Sequence, residues 1–402
     1  MEELASLATT AGISVLASVI QRRDRPSPRT FLGKGKVEEV RAAADELEAD
    51  VLIVNDDLSP AQARNLEEAL SRKVVDRTQL IMDIFAQRAA TKEARLQVEL
   101  AQLRYLLPRL RGWGSALTRT GGGIGTRGPG ETQLEIDRFK INRRIHALQK
   151  RLRKTESERS LRRRKRIRSP LPQIALVGYT NSGKSTLLNR LCGADSAVED
   201  KLFVTLDTLV RRGEIAPGRR GLFVDTVGFI RELPHDLVPA FAATLEVVRY
   251  ADVILHVIDR SHRAWERDYR VVLGILEQEV FEADDERPPI IDVYNKIDVV
   301  REERVAPAQG VALSAKEGTN VDELLARLAE LLFPGDRSVE LLVPFAATGR
   351  LHDLIEQERI ETLDHTAEGV LVRIAASAQE IEELASSGVR VNASDDVRDE
   401  RP

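Results

Sequence analysis

The chain of 402 residues has one cysteine, Cys192, and only 4% aromatic residues. A single cysteine excludes an intramolecular disulfide framework. No stretch approaches the ~20 consecutive apolar residues that a membrane-spanning helix requires. The chain starts with Glu2 and Glu3, whereas a secretion signal begins with basic residues. We therefore expect a cytoplasmic protein without a membrane span, which can associate peripherally with a membrane.

The net charge is only −4, but the charged residues are unevenly distributed. Residues 150–168 hold eleven basic and two acidic side chains, and the chain from Glu380 onward is rich in acids. A basic block of this kind is typical either of a solvated helix face or of a nucleic-acid contact. Composition alone does not decide between the two.

The pattern of apolar residues predicts four regions, in a chain long enough for two to four domains. Residues 1–80 alternate strand-like and helix-like segments and indicate a small α/β subdomain with parallel strands. Residues 81–168 indicate a long helical hairpin around a glycine-rich loop at 121–130. A proline-containing linker precedes a third domain at 171–334, and 335–402 indicate a small α+β domain with an acidic tail. The segments that carry this prediction are apolar Ile13–Ile20; helices at Lys36–Glu48, Pro60–Leu70, Leu351–Glu358 and Ala378–Leu384; and strands at Val51–Val54, Lys73–Val75, Val339–Phe345 and Gly369–Ile374.

The glycine-rich loop contains a formal Gly-x-Gly-x-x-Gly at Gly123, Gly125 and Gly128. A dinucleotide fingerprint requires an apolar strand before it and a helix directly after it, and neither is predicted here. Two interpretations remain. The loop is a flexible hairpin tip, or its bare backbone, with Arg119 and Arg127, approaches a phosphate-rich surface closely.

Residues 178–186 read Gly-Tyr-Thr-Asn-Ser-Gly-Lys-Ser-Thr and directly follow the apolar run Ile174–Val177. This is a complete phosphate-binding loop behind a buried strand. Its backbone N–H groups surround phosphate oxygens, Lys184 reaches the β- and γ-phosphates, and the Ser185 hydroxyl binds Mg²⁺. The helix that starts at Lys184 points its positive end at the same anion.

Two further segments are predicted to contact the γ-phosphate and its Mg²⁺. Asp225 ends a predicted strand, where its carboxylate can hold Mg²⁺ through water, and the Gly228 N–H can contact the γ-phosphate. Thr205 is assigned to Mg²⁺ and the γ-phosphate, with Thr208 as the competitor. Phe229 stands where many signalling GTPases place the glutamine that orients the attacking water. We therefore expect slow hydrolysis that a partner accelerates.

The identity of the nucleotide base is predicted from Asn295-Lys296-Ile297-Asp298, at the end of another apolar strand. The Asp298 carboxylate can accept hydrogen bonds from N1–H and the 2-amino group of guanine, and adenine offers neither donor. An unpaired carboxylate costs at least about 1–3 kcal/mol, so GTP should be preferred to ATP. Asn295 braces the loop, and Ser314-Ala315-Lys316 supply backbone contacts to the guanine oxygen.

These motifs predict an α/β protein whose third domain is a P-loop GTPase with a mixed, mostly parallel sheet. The catalytic residues are expected to be Lys184, Thr205 and Gly228. The residues expected to bind GTP or GDP are Gly178, Tyr179, Thr180, Asn181, Ser182, Gly183, Lys184, Ser185, Thr186, Phe203, Val204, Thr205, Leu206, Asp207, Asp225, Thr226, Val227, Gly228, Asn295, Lys296, Ile297, Asp298, Ser314, Ala315 and Lys316.

Nearly the whole chain resembles the HflX-type GTPases of the Obg–HflX-like superfamily. The carrying segments are Thr30–Lys36, Leu58–Gln62, Asp83–Arg88, Gln97–Leu110, Gly121–Asp137, Gly178–Thr186, Asp225–Ile230 and Leu233–Leu237. The glycine-rich loop followed by Glu131-Thr132-Gln133-Leu134-Glu135 is more specific than any general GTPase motif. Phe229 is usual in the family. After Asp207 the family usually has Pro-Thr, whereas this chain has Thr208-Leu209, which leaves the first switch open.

The resemblance implies a partner and an activity. Family members bind the large ribosomal subunit, place the hairpin loop near the peptidyl-transferase region, and can split stalled or idle ribosomes, notably under heat stress. Ribosomal RNA would then contact Arg119, Gly123, Gly125, Arg127 and Gly128, and the ribosome would accelerate hydrolysis. We expect a monomer. The alternatives are an RNA-binding or RNA-remodelling protein with incidental GTPase activity, and a protein-signalling GTPase.

Overall fold

A computed structural model of the chain describes residues 2–110, 129–166, 171–193, 202–203, 208–231, 237, 245–282, 287–300, 310–345 and 360–392. The chain divides into two compact units. Unit 1 comprises Met1–Arg168, Glu199–Asp207 and Ile230–Ala243; unit 2 comprises Ser169–Val198, Thr208–Phe229 and Thr244–Pro402. The boundaries expected near residues 80 and 335 fall inside these units and stay predictions. Across the described residues, no helix has the length and apolar character needed to cross a bilayer.

Unit 1 begins with a small α/β layer built on two parallel strands. Its elements are α1 (Glu2–Thr10), α2 (Lys34–Glu46), β1 (Val51–Val54), α3 (Pro60–Leu70), β2 (Lys73–Asp76) and α4 (Arg77–Arg88). Strand β1 pairs in register with β2, from Val51 opposite Lys73 to Val54 opposite Asp76. Val54, Leu66 and Leu70 form the centre of a buried cluster between the strands and the helices. The parallel arrangement predicted from the alternating pattern is therefore present.

Local side-chain chemistry explains where these helices begin. Ser59 accepts a hydrogen bond from the Gln62 N–H, and the Gln62 side chain accepts one from the Ser59 N–H, so α3 starts with a capping box. Pro60 then occupies the first turn, where its missing N–H costs nothing. The apolar segment Ile13–Ile20 forms neither strand nor helix, and Leu16 and Ile20 are exposed. Apolar composition there does not correspond to burial.

The predicted hairpin is present as α5 (Lys92–Arg109) and α6 (Pro129–Arg166). The helical segment expected from residue 81 onward is interrupted, because the Thr91 hydroxyl accepts from the Ala94 N–H and caps a new helix. Buried leucine and isoleucine side chains join α5 to α6, and the Arg144 guanidinium binds Glu99 at 2.7 Å. The cluster consists of Leu96, Leu100, Ile145 and Leu148. The glycine-rich loop between the helices lies outside the described residues.

Two short segments from the middle of the chain belong to unit 1. Phe203 packs edge-on against Phe85 of α4, with ring centroids 4.6 Å apart, and the Leu202 N–H donates to the Thr10 hydroxyl at 3.2 Å. The Arg231 carbonyl accepts from the Arg77 guanidinium at 3.2 Å. Both segments are thus part of the same core as the first helices.

Unit 2 contains a six-stranded sheet with the order β4, β5, β3, β6, β7, β8. The strands are β3 (Gln173–Gly178), β4 (Leu209–Ala216), β5 (Arg219–Asp225), β6 (Val253–Asp259), β7 (Ile290–Asn295) and β8 (Val311–Ala312). Only β4 runs antiparallel to its neighbour. The helices that pack with this sheet include α7 (Lys184–Leu191), α8 (Trp265–Ile275) and α9 (Val321–Leu332). This is the mixed, mostly parallel sheet that the motifs predict.

The end of unit 2 is a four-stranded antiparallel sheet with one helix. Its elements are β9 (Arg337–Pro344), β10 (Glu361–His365), β11 (Gly369–Ala376), α10 (Ala378–Ser386) and β12 (Arg390–Asn392), in the strand order β10, β11, β9, β12. The Arg219 guanidinium, on β5, binds Asp336 at 2.5 Å and Glu380 at 2.7 Å. This pair of ion pairs connects the two sheets of the unit. The predicted helix at Leu351–Glu358 lies outside the described residues.

Candidate nucleotide-binding site

The predicted site residues of unit 2 meet at one edge of the six-stranded sheet. Parallel strands end at the same edge, so β3, β5, β6 and β7 deliver Gly178, Asp225, Asp259 and Asn295 together. The phosphate loop follows β3, which lies in the middle of the sheet between its two parallel neighbours β5 and β6. Ligands of open α/β sheets bind outside the carboxyl ends of the strands.

The phosphate loop wraps around the Lys184 ammonium group. Lys184 is 6% exposed, and its Nζ donates to the carbonyls of Gly178 at 3.1 Å and Tyr179 at 2.9 Å. Gly183 has φ +95°, and a side chain there would overlap the Asn295 amide. Glycine at this position is therefore required both by backbone conformation and by space.

The pKa of the Lys184 ammonium group is lowered to about 8, mainly because the group is buried; the charge of Asp225 opposes this shift and the charge of Lys296 adds to it. The protein thus holds a partly desolvated cation whose charged form is stabilised by an added anion. A phosphate chain is an anion of this kind.

The segment that follows β5 pairs with the phosphate loop. The Thr180 N–H donates to the Phe229 carbonyl at 2.8 Å, and the Phe229 N–H donates to the Gly178 carbonyl at 3.0 Å. Phe229 itself is buried. A side chain at Gly228 would lie 2.8 Å from Thr180 Cα and 3.1 Å from Lys184 Nζ, so these three residues surround one small volume.

The Ser185 hydroxyl donates to the Asp225 carboxylate at 2.6 Å, and Asp225 is fully buried. Within the described residues, no group of three or more His, Cys, Asp or Glu side chains is placed to hold a metal ion. Ser185 and Asp225 together place one hydroxyl and one carboxylate side by side at the start of α7. Both are hard oxygen ligands, which suit Mg²⁺ when phosphate and water oxygens complete its coordination.

The loops of the predicted base site are joined by Asn295, which is buried. Its amide Nδ2 donates to the Ser182 carbonyl at 2.9 Å, and its Oδ1 accepts from the Ala315 N–H at 3.0 Å. The Ser314 hydroxyl donates to the Asp298 carboxylate at 2.7 Å. Asp298 remains exposed and can accept from a base. The structure thus brings Asn295, Asp298 and Ser314 together as the sequence predicts.

The motifs in the sequence did not indicate Asp259, which orients the Lys296 side chain. The Lys296 ammonium group binds the Asp259 carboxylate at 2.7 Å and donates to the Asn181 carbonyl at 2.8 Å. The Ser261 N–H donates to the other Asp259 oxygen at 2.9 Å and fixes its direction. The signal was present, because Asp259 ends an apolar strand in the same way as Asp225.

Arg190 of α7 was also missed. Its guanidinium donates to the carbonyls of Ala315 at 3.3 Å and Lys316 at 2.6 Å. It therefore supports the loop that is predicted to contact the guanine oxygen. A lone arginine on an amphipathic helix carries no sequence signal for this contact.

Several of the remaining residues that were predicted to bind nucleotide are buried or hydrogen-bonded within the protein itself. Thr226 is buried, and its hydroxyl donates to the Leu176 carbonyl at 2.6 Å; Val227 is also buried, and Thr186 is half-buried on α7. The Ile297 N–H donates to the Leu313 carbonyl at 3.4 Å. Phe203 lies in unit 1. The others fall outside the described residues: Val204, Thr205, Leu206, Asp207, Arg119, Gly123, Gly125, Arg127 and Gly128.

The chain is similar to several known proteins. Three family models match the chain, described as GTP-binding GTPase N-terminal (residues 1–86), GTP-binding GTPase middle region (88–166) and 50S ribosome-binding GTPase (173–296). GTPase HflX of Caldanaerobacter subterraneus subsp. tengcongensis is 45% identical over 96% of this chain and 89% of its own length. GTPase HflX of Escherichia coli strain K12 is 46% identical over 83% of this chain and 79% of its own length. A solved GTP-binding protein of Sulfolobus solfataricus in complex with GDP is 27% identical, with 82% of this chain and 94% of that chain covered and a TM-score of 0.44.

The fold and the matched families define a P-loop protein that binds guanine nucleotides and hydrolyses GTP. Its matched third region belongs to the ribosome-binding GTPases. The chain belongs to the HflX family of GTPases.

We expect GDP binding to take up a proton above about pH 8. The phosphates favour charged Lys184, so its pKa rises on binding from its lowered value of about 8, and affinity is highest below that pH and falls above it. Titration calorimetry at about pH 8.5, in two buffers of different ionisation enthalpy, should show uptake of about half to one proton. The same measurement at about pH 7 is the control, since Lys184 is already charged there. Equal proton uptake at both pH values would contradict the assignment of this uptake to Lys184.

We expect Asp259→Asn to weaken binding of both GDP and GTP about tenfold, because the charge-assisted bond that holds Lys296 is lost. The rate of hydrolysis at saturating GTP should stay near that of the wild type, so the change appears in KM. The matched control is Asp252→Asn, since Asp252 lies at the opposite end of β6 and accepts from the Gln173 N–H at 2.6 Å. Affinity loss of the same size in the control would show that any damage to β6 suffices.

Proposed function

We propose that this GTPase binds the large ribosomal subunit as a monomer and couples GTP binding and hydrolysis to dissociation or rescue of ribosomes under stress. One observation carries the proposal. Unit 1 contains the exposed basic helix α6 and also the two chain segments, 199–207 and 230–243, that follow the phosphate loop and the Asp225–Gly228 motif. The element suited to RNA and the segments closest in sequence to the γ-phosphate motifs therefore fold together.

The nucleotide is held by residues of unit 2 in this proposal. Backbone N–H groups of Gly178–Thr186 and the Lys184 ammonium group bind the phosphates, and Asp298 selects guanine. Ser185, Asp225 through water, and Thr205 would hold Mg²⁺, which neutralises phosphate charge. Asn295 and Lys296 fix the loop against the phosphate loop, and Ser314–Lys316 contact the guanine oxygen.

Hydrolysis is slow without a partner in this proposal. The Phe229 side chain is buried and apolar, so it cannot orient an attacking water molecule. Its N–H and carbonyl are both engaged by the phosphate loop. A ribosome would accelerate the reaction by ordering the segments around Thr205 and Gly228.

Helix α6 supports an RNA partner. Its described side chains include exposed cations at Lys140, Arg143, Lys150, Arg151, Arg153 and Lys154. Phe139 is 69% exposed on the same helix. Cations neutralise phosphates, and an exposed aromatic ring stacks on unpaired bases, so the helix suits structured RNA. These features also favour the alternative of an RNA-binding or RNA-remodelling protein with incidental GTPase activity.

A change of nucleotide state is proposed to reach unit 1 through α1 and α4. The Glu3 carboxylate binds the Arg77 guanidinium at 2.5 Å and the Arg231 guanidinium at 3.6 Å. Arg231 lies three residues after Gly228, so a change at Gly228 displaces a segment that α1 and α4 hold. Phe229 belongs to unit 2 and Ile230 to unit 1, so the chain passes from one unit to the other directly after the Gly228–Phe229 pair.

We expect the protein to co-sediment with large ribosomal subunits in the presence of a non-hydrolysable GTP analogue and to dissociate with GDP. Whole ribosomes incubated with GTP should separate into subunits in a sucrose gradient. Binding that is equal in all nucleotide states would favour the RNA-binding alternative. Failure to bind ribosomes in any state would refute the proposal.

We expect Glu3→Gln to reduce ribosome-stimulated GTP hydrolysis about tenfold and to leave hydrolysis by the protein alone unchanged. The substitution weakens the charge-assisted hydrogen bond to Arg77, which contributes about 1.5–3 kcal/mol, and removes the longer ion pair to Arg231. The neighbouring Glu2→Gln is the matched control, because Glu2 is exposed on the same helix. Unaltered stimulation in Glu3→Gln would exclude this route.

A further inference from the structure

The phosphate loop contains a buried hydroxyl group that no role above explains. Thr180 is 7% exposed, and within the described residues its Oγ1 has no hydrogen-bond partner. A buried hydroxyl without a partner is unfavourable, because it has lost its hydrogen bonds to water. A ligand that supplies an acceptor removes this penalty.

The position of Thr180 indicates which part of a ligand does so. Its backbone is fixed, since the Thr180 N–H donates to the Phe229 carbonyl at 2.8 Å. A side chain built on Gly228 would meet Thr180 Cγ2 at 3.0 Å and Lys184 Nζ at 3.1 Å. Thr180 therefore borders, through Cα and its methyl group, the volume between Gly228 and the lysine that is expected to reach the terminal phosphates. The hydroxyl is bonded to the same Cβ as that methyl group, so rotation of the side chain about the Cα–Cβ bond exchanges their positions. The β-phosphate is expected deeper in the loop, because the N–H groups at the start of a helix bind anions and α7 starts there.

We propose that the Thr180 hydroxyl donates a hydrogen bond to a γ-phosphate oxygen of bound GTP and so distinguishes the triphosphate from the diphosphate. This inference rests on the proposed nucleotide site and adds a specificity residue to it. A hydroxyl is suited to the task because it can rotate towards an anionic acceptor and needs no charge. With GDP bound, no γ-phosphate oxygen is present and the hydroxyl gains nothing.

Thr226 provides a comparison within the same site. Its hydroxyl is also buried, but it donates to the Leu176 carbonyl at 2.6 Å and stabilises the strand rather than a ligand. The same substitution by valine removes a hydroxyl from each position at nearly constant volume. Only the loss at Thr180 should depend on the number of phosphates.

The experiment measures the affinity of the full-length protein for GDP and for a non-hydrolysable GTP analogue by titration calorimetry with Mg²⁺. Thr180→Val should weaken binding of the analogue about tenfold to a hundredfold and change that of GDP less than about twofold. Thr180→Ser keeps the hydroxyl and should retain the discrimination. Thr226→Val should shift both affinities together.

Each outcome decides the inference. Thr180→Ala, which removes the hydroxyl without adding a methyl group, replaces Thr180→Val if the valine variant does not fold. Equal losses for GDP and the analogue, or no loss for either, would overturn the inference, because the residue would then shape the loop without reading the γ-phosphate. A wild-type protein that binds neither nucleotide would instead refute the proposed site itself, so the two failures are distinct.

Discussion

The nucleotide site depends on the Asn295 side chain, which ties three loops together. Its amide binds the Ser182 carbonyl and the Ala315 N–H, and all of these groups are buried. An unsatisfied buried backbone group costs about 1–3 kcal/mol, so neither loop can move away without a penalty. The phosphate loop and the base loop are thus fixed relative to each other before a nucleotide arrives, which reduces the entropy lost on binding.

Preorganisation is accompanied by desolvation at the phosphate end. Lys184 is buried among carbonyl groups, and burial lowers its pKa to about 8. Thr180 contributes a buried hydroxyl, and Gly228 keeps the intervening volume free of side-chain atoms. These groups interact weakly with one another and strongly with an anion, because the low dielectric of the site strengthens charge interactions. Bound phosphates would therefore supply the interactions that the buried Lys184 and Thr180 groups lack in the free protein.

Two described segments that follow the nucleotide motifs in sequence, Leu202–Phe203 and Ile230–Arg231, belong not to the nucleotide-binding unit but to unit 1. There, Phe203 packs on Phe85, and the Arg231 carbonyl and guanidinium bind Arg77 and Glu3. The proposed function uses these segments to pass a change at the nucleotide to unit 1, to which the basic helix α6 also belongs.

The sequence by itself determined the kind of fold and predicted most of the residues of the candidate nucleotide site. Strand-end motifs have fixed chemistry, and parallel strands place their ends at one edge, so Lys184, Asp225 and Asn295 could be assigned from local pattern alone. Only the tertiary structure decided which residues support them. Asp259 and Arg190 reach their partners across more than thirty residues of chain, at distances of 2.7 Å and 2.6 Å. The membership of Phe203 and Arg231 in unit 1, and the partnerless burial of the Thr180 hydroxyl, likewise depend on packing between segments remote in sequence, which no local pattern encodes.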